Sequence, residues 1–60
     1  MEELLTPDTV ATVLGKSRLT IIRWLRAGVL KGFKVGRAWR VRPEDLDAFI
    51  KTLADRQENN

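Results

Sequence analysis

The chain has 60 residues, with eleven lysines and arginines against eight acids and neither histidine nor cysteine. That length supports one domain, since a chain of this size buries only about 60% of the surface its unfolded form exposes. The missing cysteine excludes a disulfide framework and thiolate metal sites. The missing histidine removes the commonest general base and the commonest metal ligand, so no catalytic residue, metal site or cofactor is implied.

No apolar run approaches the roughly 20 residues of a membrane span, and the start, Met1-Glu2-Glu3, is acidic rather than signal-like. The expectation is a soluble, cytoplasmic protein with no membrane partner. Charge is segregated along the chain. Residues 1–15 carry Glu2, Glu3 and Asp8 and no base; residues 43–60 are again net acidic. Between them lie Lys16, Arg18, Arg23, Arg26, Lys31, Lys34, Arg37, Arg40 and Arg42 without one acid. A surface that merely solubilises a domain intersperses both signs. A block of this kind points to a polyanion.

The first element is a helix over 7–14. Thr6 is suited to the N-cap, Pro7 to the first helical position, and Asp8 to the positive helix start. Val10, Ala11, Val13 and Leu14 form its apolar stripe, Gly15 ends it, and Leu4 and Leu5 lead in. Ser17 caps a second helix over 18–27 that Gly28 closes. Two helices joined through a short glycine-containing turn are the helix-turn-helix pattern.

The period then changes from helical to alternating. Phe33, Val35, Trp39 and Val41 alternate with Lys34, Arg40 and Arg42, and Gly36-Arg37-Ala38 supplies a turn, which predicts a β-hairpin with an apolar side and a basic side. Lys34, Arg40 and Arg42 share the basic face and Arg37 sits at the tip. Pro43-Glu44-Asp45 opens a third helix whose core face is Leu46, Phe49, Ile50 and Leu53. The expected architecture is mainly α with a β-hairpin, a compact winged helix-turn-helix over 1–54, followed by a polar, flexible tail over 55–60.

Read at about 100° per residue, the second helix turns Ile21, Trp24 and Leu25 to the core. Leu19, Ile22, Arg23 and Arg26 fall on the outer side, flanked by Arg18 and Thr20. The arginines suit phosphates or the paired acceptors of guanine. Outward aliphatics need a cover, which thymine methyls in the major groove would provide. Arg37, between two small residues, is placed to approach a narrow minor groove. Trp24 and Trp39 read as core anchors, which argues against single-strand recognition by stacking.

Leu5-Thr6-Pro7-Asp8-Thr9-Val10-Ala11, Leu14-Gly15, Ser17-Arg18-Leu19-Thr20-Ile21, Arg26-Ala27-Gly28 and Leu30 resemble the excisionase family of DNA-binding domains, related to the MerR-type winged helix. Phe33 to Val41 and Glu44 to Ile50 continue the pattern, so the resemblance covers about residues 4 to 53. It implies a recognition helix bearing Ser17, Arg18, Leu19, Thr20, Ile22, Arg23 and Arg26, and a wing bearing Lys34, Arg37 and Arg40. It also implies a double-stranded DNA partner near an attachment site, DNA bending and an integrase or recombinase partner; the small size of the domain adds the expectation of cooperative self-association on DNA, in a cytoplasmic, nucleoid-associated protein. A small transcription regulator would bind in the same way. A different class, a protein-interaction adaptor, would use Leu19 and Ile22 as its hot spot.

Overall fold

Thr6 and Ser17 open the first two helices by the same device. The computed structural model, which describes residues 3–58 with side chains as far as Asp55, gives each an extended backbone. Their side-chain oxygens accept an N–H three residues on: Thr9 N–H donates to Thr6 Oγ1 and Thr20 N–H to Ser17 Oγ, both at 3.2 Å. These bonds occupy donors that a helix start otherwise leaves unpaired. From them run α1 (Pro7–Leu14) and α2 (Arg18–Ala27). Gly15 ends α1 at φ 67°, ψ 35°, its N–H directed at the carbonyls of Ala11 and Thr12. Lys16 N–H returns to the Ala11 carbonyl at 3.0 Å. A side chain resists this left-handed conformation, so glycine lets three residues turn α1 into α2.

Beyond α2, β1 (Phe33–Val35) and β2 (Ala38–Arg40) form an antiparallel hairpin, and α3 (Pro43–Glu58) follows. The Arg42 carbonyl accepts the N–H groups of Asp45 and Leu46 at 3.0 and 3.1 Å, and Glu44 and Asp45 occupy the first turn of α3, where the helix dipole favours carboxylates. The helix is longer than the sequence pattern suggests. The segment expected as a flexible tail from Asp55 is helical backbone through Glu58, while Asn59 and Asn60 lie outside the described residues. Once a helix is nucleated, good formers such as Arg and Glu extend it without an apolar face.

Every element but β1 and β2 places a side chain in the buried core, and those two lead directly into it. Val10 and Ala11 come from α1, Ile21 and Leu25 from α2, Leu30 from the following loop, Val41 from just past β2, and Leu46 from α3. Leu5, Leu14, Ile22, Trp24, Trp39 and Phe49 pack around them. Trp24 and Phe49 join α2 to α3, with ring centroids 5.4 Å apart and planes tilted by 51°. Leu5 bridges to Val41: each residue's N–H donates to the other's carbonyl, at 2.8 and 2.9 Å. The result is a winged helix-turn-helix of helix, helix, two-stranded wing and helix. Among the described residues no helix is long and apolar enough to cross a membrane.

The hairpin departs from the expected arrangement in one respect. Phe33 pairs with Arg40, Lys34 with Trp39 and Val35 with Ala38, so the connection is the two residues Gly36 and Arg37 rather than three. Gly36 has φ 65° and Arg37 does not take positive φ, the requirement of a type II′ turn. Shortening the turn by one residue reverses the phase of one strand against the other. Lys34 therefore shares a face with Trp39, while Arg40 shares the opposite face with Phe33. The single basic face expected for Lys34, Arg40 and Arg42 is split in two.

Candidate nucleic-acid interface

α2 presents its functional side chains from a frame set by Ile21, fully buried, and Leu25 on the core side. Leu19, Arg23 and Arg26 follow one another at spacings of four and three, which places them in one stripe. All three are exposed, Leu19 at 58%. Of the expected recognition residues, Ser17 and Arg18 at the helix start are exposed as well.

The remaining candidates on α2 are placed differently. Ile22 is half-buried and packs against the core, so the expectation that it points outward is corrected. It lies about 100° from Ile21, at the edge of an apolar arc wider than the three core residues alone suggested. Arg18 is exposed next to Leu19 at the start of the helix, where its Nε meets the Asp8 carboxylate of α1 at 3.3 Å. That ion pair supplies an acid beside a helix start whose own first turn has none. Ser17 serves as N-cap, and the Thr20 hydroxyl, half-buried, lies 3.0 Å from the Ser17 hydroxyl. Each hydroxyl keeps further hydrogen-bonding capacity.

On the wing, Arg37 is exposed at the tip beside Gly36. The Lys34 ammonium sits over the Trp39 ring, 5.4 Å from its centroid, a contact in which the ring's negative face holds the cation. Arg40 is half-buried and its Nη1 donates to the Trp39 carbonyl at 2.8 Å. Arg42 lies with its guanidinium 5.3 Å from the Phe33 ring centroid. The splitting of the faces relieves like-charge opposition across the strands, because each base now stands against an aromatic ring or a carbonyl rather than another base. Trp24 and Trp39 are half-buried against the core, as their periodicity implied.

Two residues escaped the sequence reading. Lys16 is exposed in the turn just ahead of α2; it counted toward the basic block, and its position before a helix start was the signal that could have marked it. Gly32 is the other. A Cβ built there would lie 2.5 Å from Leu25 Cδ2 and 3.0 Å from the Arg40 carbonyl oxygen. Only glycine allows the chain to pass that close to β2 on its way into the hairpin, and no local sequence pattern signals this.

The helix-turn-helix places its second helix in the major groove of a DNA duplex. The sequence pattern of the family described as helix-turn-helix domain matches residues 4–54, from the lead-in ahead of α1 well into α3. No curated protein and no solved structure matches the chain. With both helices, their glycine turn and the hairpin inside the matched span, the chain belongs to the helix-turn-helix domain family.

Proposed function

We propose that this protein binds double-stranded DNA sequence-specifically, with α2 in the major groove and the hairpin as a wing on the flanking backbone. The observation that carries this reading is the exposed stripe of Leu19, Arg23 and Arg26 within a segment, residues 16–42, that has nine bases and no acid. Arg23 addresses a guanine edge, where a planar guanidinium can bond twice. Arg26 and Lys16 hold phosphates at either end of the helix, with Ser17 and Thr20 as neutral donors. Arg37 enters the minor groove from the wing tip, and Lys34 and Arg40 lie along its two sides.

In finer terms the protein is an excisionase-like accessory factor. It binds near an attachment site, bends the DNA and promotes excision by an integrase, with neighbouring copies binding cooperatively at adjacent sites. The support is the resemblance of Leu5 to Ala11, Ser17 to Ile21 and Phe33 to Val41 to that family. A domain with so small an interface reaches only modest specificity alone, which suits repeated sites. The protein performs no chemistry of its own in this reading.

A salt titration of duplex binding tests the proposal. Five to seven phosphate contacts give a log–log slope of roughly −4.5 to −6. A flat slope, or no duplex binding at low salt, removes the reading. Footprints over attachment and promoter DNA, with bending measured on each, then separate excision control from transcription regulation.

A further inference from the structure

Leu19 is the most exposed large hydrophobic side chain among the described residues, at 58%. Neither folding nor helix formation accounts for it. It lies outside the core cluster, and arginine, lysine or glutamine would support the helix about as well. Among the described residues of α2 it is the one large hydrophobic side chain left exposed, since Ile22 packs against the core, so the helix offers a single aliphatic group rather than the clustered apolar patch that docks proteins. Lys16, Arg18, Arg23 and Arg26, all exposed, surround it in sequence. A single aliphatic group inside a cationic surface complements one thing in duplex DNA well: a methyl group on the major-groove floor, bordered by phosphates.

Resting on the DNA-binding reading above, we infer that Leu19 is a specificity-determining residue that reads the 5-methyl group of a thymine. Arg23, one helical turn further on, lies about 5–6 Å away. Successive base pairs are spaced by about 3.4 Å. The thymine and the guanine read by Arg23 therefore fall within about two base pairs of each other. Thymine is the only standard base that carries an apolar group in the major groove, so one leucine suffices to select it.

The test uses the full chain and a duplex selected by it from a random pool. Each thymine of that duplex is replaced in turn by deoxyuridine, which removes the methyl and leaves base pairing intact. At one position near a guanine, the replacement is expected to weaken binding about three- to five-fold, the value of one buried methyl group. The Leu19→Ala protein, altered only at an exposed position, is expected to bind the thymine duplex more weakly by a similar factor and to be indifferent to the replacement. Arg23→Ala is expected to bind more weakly overall while keeping the thymine-to-uracil ratio. Duplex binding that no deoxyuridine replacement weakens overturns the inference alone, as does a Leu19→Ala protein that keeps the full ratio. Absence of duplex binding at low salt overturns the DNA-binding reading, and this inference with it.

Discussion

At the scale of single residues, Gly32 and Asp8 matter for opposite reasons, one structural and one electrostatic. Gly32→Ala would bring a methyl against Leu25 Cδ2, a group that can rotate, and against the Arg40 carbonyl, which cannot move without the strand. Overpacking of this kind costs about 1–3 kcal/mol, measurable as a lower denaturation midpoint with unchanged slope. Asp8 holds Arg18 in an ion pair whose side chains are 75% and 64% exposed. Pairs this open contribute little to stability, about 1 kcal/mol at most. Asp8 also stands in the first turn of α1, so Asp8→Asn should lower stability by about 1–2 kcal/mol at most while raising duplex affinity several-fold at low salt, because a negative charge beside the interface is lost and Arg18 is released. That gain should shrink as ionic strength rises, and an affinity unchanged at low salt would show that Arg18 stays away from phosphate.

At the scale of elements, α2 and the wing divide the labour between selecting a sequence and holding a duplex. Arg23→Ala should cost about 1–3 kcal/mol and relax preference at one base pair, as read by competition among point-substituted duplexes. Arg37→Ala should weaken all sequences alike and lower the salt slope by about one, with less bending. The helices were legible in the sequence because their signals are local: Thr6, Ser17, Gly15 and Gly28 each act within four residues of where they stand. The wing was legible as a hairpin, yet not in its faces. Whether Lys34 stands beside Trp39 or beside Arg40 depends on one residue more or less in the turn, and alternation within each strand is the same either way. The site was legible in Arg23, Arg26, Leu19 and Arg37, which follow from helix rotation or from a turn tip. It was not legible in Ile22, Arg18 or Gly32, whose surroundings are set by α1, α3 and β2 at positions distant in sequence.

At the scale of the whole molecule, binding and folding are linked through the basic segment. A domain of this size is stable by only a few kcal/mol, on the order of 0.05–0.15 kcal/mol per residue. Duplex present at a hundred times its dissociation constant adds about 2.7 kcal/mol, which for so small a domain is a rise in melting temperature of roughly 10–20 °C. A thermal melt with and without DNA reads this directly, and a melting temperature indifferent to duplex would mean that the folded form has no preference for it. The bridge between Leu5 and Val41 also sets an order of events. The helical turns and the two-residue hairpin close short loops, on microsecond scales, whereas this pair of hydrogen bonds joins Leu5, ahead of α1, to Val41, beyond the wing. Its closure costs more loop entropy than that of the local elements, so it is expected to form later than they do. The bridge thus acts as a latch between the N-terminal lead-in and the root of the wing, and Leu5→Pro, which removes one of its two donors, is expected to raise amide exchange at Val41 before it does so in α2.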